Sequence, residues 1–279
     1  METNERGRLS NWRDTKGVSA EQAQEMSGRL ELRAKAADEV AARHEYLELL
    51  GVAPGEHALD LGCGSGVVTR ELAKRVAPNG RVVGCDSSEA LLDVARKYAR
   101  DAGLEKVIEF RAADCRELPF ADGSFDAVIA ATVLAHVPGV ERALREMVRV
   151  TRVGGRVGVF DFDGDCFLMA HPDRELTRRI VAAQSDHAAV NSQLVRFLPG
   201  MLGDLGIGDI QVRGFMPLER AAGSFYANLS QRTADVALKA GAISEAEHAR
   251  WLQELKAALA AGRFMGGRLH LFVWGTRER

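Results

Sequence analysis

The chain has 279 residues, of which 46% are hydrophobic, so it is long enough for one α/β domain with an additional lid. Its 37 basic and 39 acidic residues give a net charge of −2. The Lys and Arg residues are spread among the acids along the chain, so no electrostatic footprint for nucleic acid is present, and we expect no nucleic-acid partner.

The first 17 residues are polar and contain no apolar core, so we do not expect a signal peptide. The most apolar stretch, residues 127–135, is too short to cross a bilayer. The four cysteines form no C-x-x-C pair and no metal-ligand spacing, which favours a reducing compartment and no bound metal. Together these features predict a cytoplasmic protein without membrane insertion.

The order of the predicted elements indicates an α/β fold. Residues 20–50 have apolar positions at helical spacing and predict one or two helices, with a break at Gly28. Strands are then predicted over residues 57–61, 81–85, 107–112, 125–130 and 156–160. Helices are predicted between them over residues 67–76 and 88–99, with Ser88 as an N-cap, and from Val140 onward. Such alternation is typical of a parallel sheet covered on both faces.

The pattern is less regular after residue 161. Helices are predicted over residues 173–190, 199–205 and 221–259, and strands over residues 210–215 and 268–274. We therefore divide the chain into an N-terminal helical arm, a core, a helical lid insertion and a last core strand, over residues 1–50, 51–216, 217–262 and 263–279.

A glycine-rich turn follows the first predicted strand in the sequence DLGCGSG, from Asp60 to Gly66. Glycines let the chain turn sharply and let a ligand touch bare backbone. The dinucleotide fingerprint G-x-G-x-x-G would need a third glycine where Val67 stands. The spacing D-x-G-x-G-x-G instead predicts a nucleotide-binding turn with an acid two residues before its first glycine.

Five segments resemble, in order and spacing, the motifs of the class I S-adenosylmethionine-dependent methyltransferases. They are ALDLGCGSG, VVGCDSS, AADCRELPF, SFDAVIAATVLAHV and LREMVRVTRVGGRV, with Val153 where the family usually has proline. The resemblance covers residues 51–161 and is closest to the small-molecule branch typified by ubiquinone/menaquinone-biosynthesis methyltransferases. It implies a Rossmann-like, doubly wound, mostly parallel seven-stranded sheet with helices on both faces and an antiparallel last strand.

The same resemblance implies that S-adenosylmethionine is the cofactor and S-adenosylhomocysteine the product. Asp86 would bind the ribose hydroxyls, Asp114 and Cys115 would lie beside adenine, and Asp60 would orient the amino group. A carboxylate suits a ribose diol because it accepts both hydroxyls in a charge-assisted geometry. The alternative role for isolated strand-end acids is helix or turn capping. The complete predicted cofactor set is Asp60, Gly62, Cys63, Gly64, Gly66, Asp86, Ser87, Ala113, Asp114, Cys115 and Ala131.

The acceptor side is less clearly marked. His136 follows the fourth strand, and Asp161 and Asp163 follow the fifth, so they are the candidates for a catalytic base. The alternatives are structural packing for His136 and a magnesium site for the DFDGDC acids. Trp12 lies in the polar arm and is predicted to close over the cofactor. The predicted substrate-pocket residues are Trp12, His136, His171, Arg196, Phe197, Tyr226 and Phe264.

Three cysteines, Cys63, Cys85 and Cys115, fall near the ends of the first three predicted strands. The ordinary interpretation is that cysteine fills tight turns as a small apolar residue. The alternative is a thiophilic substrate such as arsenite.

These patterns predict a methyltransferase that methylates an O, N or C atom of a small apolar or aromatic metabolite. The alternatives are a nicotinamide-dependent oxidoreductase and a non-catalytic adenosylmethionine-binding protein. Against the first, no tyrosine has lysine four residues later, and against a nucleic-acid acceptor, no N-P-P-Y motif is present. The acceptor and its reacting atom stay open, and so does a homodimer.

Overall fold

The computed structural model describes Leu9 and residues 12–279, so residues 1–8, 10 and 11 of the predicted arm lie outside the described residues. Within the described part, eight strands form one mixed sheet. The strands are β1 His57–Leu61, β2 Arg81–Asp86, β3 Ile108–Ala112, β4 Phe125–Ala131, β5 Thr151–Met169, β6 Ile207–Phe215, β7 Leu218–Glu219 and β8 Gly266–Arg277.

Nine α-helices surround this sheet among the described residues. They are α1 Ala20–Ala34, α2 Ala37–Leu50, α3 Val67–Val76, α4 Glu89–Asp101, α5 Val140–Val150, α6 Arg174–His187, α7 Leu198–Asp204, α8 Phe225–Lys239 and α9 Glu245–Ala260. The predicted break at Gly28 is wrong: α1 runs through it, begins at a Ser19–Gln22 capping box and ends at Lys35. Ser88 does cap α4, since its side chain accepts a hydrogen bond from the Leu91 amide.

The strand order β3-β2-β1-β4-β5-β8-β6 confirms the predicted doubly wound sheet, but the sheet has eight strands where seven were predicted, because the short β7 adds to this path. The pairs from β3 to β5 are parallel, whereas β8 is antiparallel to both β5 and β6. The short β7 pairs with the start of β8. Because β1 has β2 on one side and β4 on the other, the strand order reverses there, and ligands of such sheets bind beyond the carboxyl ends at this point.

The fifth strand is much longer than the sequence predicts. β5 has 19 residues and contains the glycine pair expected to precede it and the acids expected to follow it. The reason is the late strand β8, which pairs with β5 from Arg156 to Met169 around a bulge. The continuous ladder satisfies backbone groups that a loop would leave to solvent.

Side chains alternate between two apolar layers, one on each face of the sheet. Leu59 of β1 and Val128 of β4 face a cluster formed with α5 and α7. Ala58 and Ile129 from the same two strands face the other side, where α2, α3 and α4 pack. Because successive strand residues point to opposite faces, these nearly continuous apolar strands build both layers at once.

A third apolar cluster joins α6, α8 and α9 beside the sheet. Trp251 of α9 and Phe264 are fully buried in it, next to Ile180 of α6. The single helix predicted over residues 221–259 is therefore two helices, separated at the Gly241 turn. The division into arm, core, lid and last strand stays a prediction, although α6 packs with the helices assigned to the lid.

Candidate active site

A cavity of about 1110 Å³ opens at the carboxyl ends of the parallel strands. It lies at the switch point of the sheet and is roofed by α1, α8 and residues 12–16. Ten of the eleven predicted cofactor residues line it, namely Asp60, Gly62, Cys63, Gly64, Asp86, Ser87, Ala113, Asp114, Cys115 and Ala131.

The glycine turn at the end of β1 depends on backbone conformations that side chains rarely adopt. Gly62, Gly64 and Gly66 all have positive φ angles, of 68°, 53° and 76°. A Cβ on Gly62 would lie 2.5 Å from the nearer Cγ of Val133, and one on Gly64 would lie 2.8 Å from Leu30. The turn is thus closed by neighbouring side chains as well as shaped for a ligand.

Gly66 is the predicted cofactor residue that does not line the cavity. It is the N-cap of α3, and a Cβ there would approach the Phe110 ring at 3.1 Å and Ala95 at 3.3 Å. In addition to its positive φ, close helix–sheet packing requires a glycine here, which is the third role that glycine has in nucleotide-binding turns.

Asp86, at the end of β2, is fixed by backbone amides. One carboxylate oxygen accepts from the Gly64 N–H at 3.0 Å and the other from the Ser88 N–H at 3.0 Å. Burial raises the pKa of Asp86, although these hydrogen bonds oppose that shift. The carboxylate thus ties the glycine turn to the start of α4 and presents a rigid acceptor to the cavity.

Asp60, at the end of β1, is buried and accepts a hydrogen bond from the Thr69 hydroxyl at 2.5 Å. Burial raises its pKa to about 7, and the nearby Asp86 charge adds to the shift. A cation placed beside Asp60 would favour its ionised form. The site therefore has an acid whose charge depends on what binds there.

Asp114 lies just beyond β3 and is neutralised by basic neighbours. Arg116 donates to both of its carboxylate oxygens, at 2.9 and 2.8 Å, and Lys16 lies 3.4 Å away. The hydrogen bonds from Arg116 hold the pKa of Asp114 well below its usual range. Next to it, the hydroxyls of Thr15 and Ser87 are 2.7 Å apart, which ties the N-terminal segment to the end of β2.

The three strand-end cysteines all line the cavity, yet they do not form a ligand set. Among the described residues no group of three or more His, Cys, Asp or Glu side chains is placed to hold a metal ion. Burial raises the pKa of Cys63, of Cys85 and, to about 11, of Cys115, so the thiols stay protonated near neutral pH. Cys85 packs inside the apolar core and Cys115 packs against it, which favours the packing interpretation.

The far end of the cavity has a different chemistry. Beyond β4, its wall contains the apolar or aromatic side chains of His136, Phe162, Phe225 and Leu229. Arg33 and Arg268 line the cavity among them. The His136 ring lies 5.7 Å from the Phe162 ring. Burial, with a smaller contribution from the Arg268 charge, lowers the pKa of His136 to about 3, so its imidazole is neutral at pH 7.

A buried ionic network closes this end. Arg33 of α1 donates to Glu39 at 2.8 Å, to the Thr132 hydroxyl at 3.2 Å and to His270 Nε2 at 3.1 Å. Glu39 also accepts from the Tyr226 hydroxyl at 2.9 Å. Thr132 has a φ of 57°, an uncommon value for a non-glycine residue, and the Arg33 contact helps to hold this conformation at the cavity wall.

The expectation that Asp161 and Asp163 face the cleft is corrected, because neither lines the cavity. Asp161 is fully buried and accepts from the Ala135 and Phe162 amides, each at 2.9 Å. Asp163 accepts from Arg196 at 2.6 and 2.7 Å. Both carboxylates tie β5 to adjacent segments, because the strand continues through them where a loop was predicted.

All five residues predicted beyond β5 for the substrate pocket also lie elsewhere. His171 stacks on Trp251 at 4.6 Å, Tyr226 is buried against Glu39, and Phe264 is buried in the cluster of α6, α8 and α9. Arg196 is paired with Asp163, and Phe197 is 60% exposed to solvent. None of the five lines the cavity. His171 lies two residues before Asp173, the N-cap of α6.

Trp12 and His136 are the two predicted pocket residues that do line the cavity. Trp12 packs beside Ala23, Met26 and Leu91, so this part of the N-terminal segment contacts helices α1 and α4. Three cavity-lining residues, Arg33, Phe162 and Arg268, belong to none of the predicted cofactor, catalytic and pocket sets described above. One signal was present for the last of these: the strand sequence RLHLFVW places Arg268, His270 and Phe272 on one face.

Other proteins resemble this chain in sequence, and solved structures resemble it in fold. The family described as a methyltransferase domain matches residues 59–159. An uncharacterised 37.1 kDa protein in a Streptomyces fradiae transposon is 35% identical over 78% of this chain and 61% of its own length. A demethylmenaquinone methyltransferase from Lactobacillus johnsonii is 40% identical over 43% of this chain and 49% of its own length.

The chain thus spans about half to three fifths of the length of these relatives. Among solved structures, YcgJ from Bacillus subtilis superposes with a TM-score of 0.60 at 18% identity, covering 86% of this chain and 99% of that one. Haemonchus contortus phosphoethanolamine N-methyltransferase 2, solved with phosphomonomethylethanolamine and S-adenosylhomocysteine, gives 0.55 at 17%, covering 86% and 53%. At these identities the structural likeness bears on the fold.

A switch-point cavity behind a D-x-G-x-G-x-G turn, with an acid at the end of the second strand, defines the class I adenosylmethionine-dependent methyltransferases. The matched domain places residues 59–159 in this class, and over this region the chain is similar to methyltransferases of ubiquinone and menaquinone biosynthesis. The cofactor of the class is S-adenosylmethionine. Among the described residues no helix is long and apolar enough to cross a bilayer.

Proposed function

We propose that the protein transfers the methyl group of S-adenosylmethionine to a small metabolite with an apolar or aromatic body. The observation that carries this proposal is the division of one cavity into two chemistries. Asp60, Asp86 and Asp114 line it from the ends of β1, β2 and β3. Phe162 of β5, which β4 separates from β1 in the sheet, and Phe225 of α8 also line it. A site that must align a polar cofactor with an apolar acceptor needs both.

The residues at the first end fit the cofactor. Asp86 is held by two amides and offers the carboxylate that a ribose diol requires. Asp60 would bind the cationic amino group, and Asp114 with Cys115 would face adenine. When bound, adenosylmethionine supplies a methyl group on a positively charged sulfur, which is already activated for displacement.

The chain's own contribution is then alignment and exclusion of water. His136 is neutral at pH 7, and with a pKa of about 3 it is a weak proton acceptor. We therefore assign His136 to contacting and orienting the acceptor beside Phe162. Catalysis by proximity and desolvation is sufficient for a nucleophile that is already reactive.

Calorimetric titration with S-adenosylmethionine, S-adenosylhomocysteine and NAD tests the cofactor site. We expect micromolar binding of the two sulfur compounds and none of NAD. Asp86→Ala removes two charge-assisted acceptors from the ribose and should weaken binding by about 100-fold. Asp93→Ala, which removes a largely exposed acid outside the cavity, is the matched control and should bind as the wild type does.

Transfer of a labelled methyl group to pooled small aromatic metabolites then tests turnover. Binding without transfer to any metabolite would favour an adenosylmethionine-binding protein that is not an enzyme. Tight binding of NAD, or unchanged binding by Asp86→Ala, would contradict the proposal itself.

A further inference from the structure

A single arginine stands out at the acceptor end of the cavity. Arg268 of β8 is 7% exposed and lines the cavity. Its guanidinium carbon lies 3.6 Å from the centre of the Phe162 ring. This stacking fixes the plane of the guanidinium and leaves its N–H groups, which lie in that plane, to meet a ligand at the edge.

The Arg268 side chain lacks the hydrogen-bonding partners that a buried cation needs. Its Nε is buried without a hydrogen-bond partner among the described residues. Arg33, the other buried arginine of the cavity wall, donates to three side chains: Glu39, Thr132 and His270. Asp161 and Glu39 act on the Arg268 charge through space only, without a hydrogen bond to it. A buried charge with an unpaired donor is costly, and such groups are candidates for ligand binding.

The nearby acids are already engaged by other groups. Glu39 accepts from Arg33 and Tyr226, and Asp161 accepts from two backbone amides. Asp235, at the cavity rim, lies 2.8 Å from His248 Nε2. The cavity wall also carries Arg29, Arg33, Arg232 and Lys239, of which Arg29 pairs with Glu25 and Arg33 with Glu39, while Arg232, Lys239 and Arg268 have no ion pair among the described residues. The region therefore favours a ligand that brings negative charge.

We propose that the acceptor substrate carries an anionic oxygen group, and that Arg268 binds it while Phe162 holds the guanidinium in plane. A carboxylate fits best, because a planar two-oxygen group pairs with the guanidinium fork through two parallel hydrogen bonds. The inference rests on the proposed methyl transfer and narrows its substrate class to aromatic or apolar acids. Arg268 is then a substrate-binding residue, set two positions from His270 on one face of β8.

Matched pairs of acids and amides test this assignment. The probes are benzoate, phenylacetate and cinnamate, each compared with its own amide, on protein saturated with S-adenosylhomocysteine and by calorimetry. We expect at least one acid to bind, and its amide to bind 10- to 100-fold more weakly. This ratio of affinities corresponds to the free energy of hydrogen bonds to a charged group.

Three variants locate the binding group. Arg268→Met should lose the preference for acids, Arg268→Lys should keep part of it, and Arg263→Met, which removes an exposed arginine outside the cavity, should keep all of it. Arg268→Met should also keep the wild-type affinity for S-adenosylhomocysteine and should not lower the Tm, because a buried cation without hydrogen-bond partners is removed.

The outcomes separate this inference from the proposed function. Equal binding of acids and amides, no binding of any acid, or an unchanged preference in Arg268→Met would each overturn the role of Arg268. A lower Tm in Arg268→Met with the acid preference intact would make Arg268 structural. Failure of the wild type to bind S-adenosylhomocysteine would instead overturn the cofactor site. The acid–amide comparison would then be made on the free protein. The role of Arg268 is therefore tested whether or not the cofactor site is correct.

Discussion

The two ends of the cavity are built in different ways. At the cofactor end, Asp60, Asp86 and Asp114 each lie at the end of a parallel strand. At the acceptor end, Arg33, Phe162 and Arg268 come from a helix and two strands that are far apart in the chain. The first arrangement follows from sheet topology, and the second only from packing.

The two ends therefore differ in how strongly the sheet itself fixes the positions of their side chains. A strand-end acid stays in place as long as the sheet forms, because backbone amides hold it, as Gly64 and Ser88 hold Asp86. The position of Arg268 depends on β8 and on the Phe162 ring of β5, which are far apart in the chain. Changes at the acceptor end can therefore alter the substrate without disturbing cofactor binding.

The largest expected effect contrasts the two buried arginines. Arg33→Met leaves Glu39 without its cation and should lower the free energy of unfolding by about 3–5 kcal/mol, because removing one partner of a buried ion pair leaves the other charge buried and unpaired. Arg268→Met should change it by less than about 1 kcal/mol or raise it. Urea unfolding of both variants measures this. Equal losses would show that Arg268 is also part of the structural network.

The next effect concerns the glycine turn. Gly62→Ala places a Cβ 2.5 Å from a methyl of Val133 and should cost about 2–4 kcal/mol through overpacking and an unfavourable φ. Gly51 has nearly the same φ, 69°, with open space around it. Gly51→Ala should therefore cost only the backbone part, about 1 kcal/mol. If Val133→Ala does not relieve Gly62→Ala in the double variant, the steric explanation is wrong.

A smaller effect depends on pH. The pKa of Asp60 is raised to about 7, so below that pH its carboxyl is protonated in the free protein. A cationic cofactor group needs the ionised form, so binding there releases a proton, and the affinity for S-adenosylmethionine should fall about tenfold from pH 8 to pH 6.

The raised pKa of Asp60 has the opposite effect on the stability of the free protein, which should fall with rising pH while cofactor affinity rises. A raised folded pKa makes the free energy of unfolding fall as the pH rises from about 4 through 7. Asp60→Asn should abolish both dependences. Calorimetry in two buffers of different ionisation enthalpy detects the proton, and a pH-independent affinity in the wild type would exclude Asp60 as the partner of the amino group.

The smallest effect is expected at Trp12. It lines the cavity and packs on α1 and α4 from a segment at the margin of the fold. Trp12→Ala should weaken cofactor binding a few-fold, by about 1 kcal/mol, and leave the Tm nearly unchanged. Unaltered affinity would show that this segment does not cover the cofactor.

The sequence predicted the strand-end site because short motifs report local structure. The D-x-G-x-G-x-G turn, Asp86 and Asp114 were each placed by an apolar strand that ends just before them. Asp161 was misplaced for a physical reason: β5 continues because β8 pairs with it, and no local pattern reveals a partner strand about 110 residues later in the chain. His171 and Phe264 were misassigned because burial among lid helices resembles a pocket wall in composition.

The late position of β8 also bears on how the protein is made. β5 and β6 leave the ribosome well before their common partner, since β6 ends at Phe215 and β8 begins at Gly266. At about 5–20 residues per second, roughly 3–10 seconds of synthesis separate them. During that time the edge of β5 has open backbone groups that can pair with other chains. Translation that stalls in this interval yields a chain with the glycine turn but no acceptor wall, and with its longest strand exposed to aggregation.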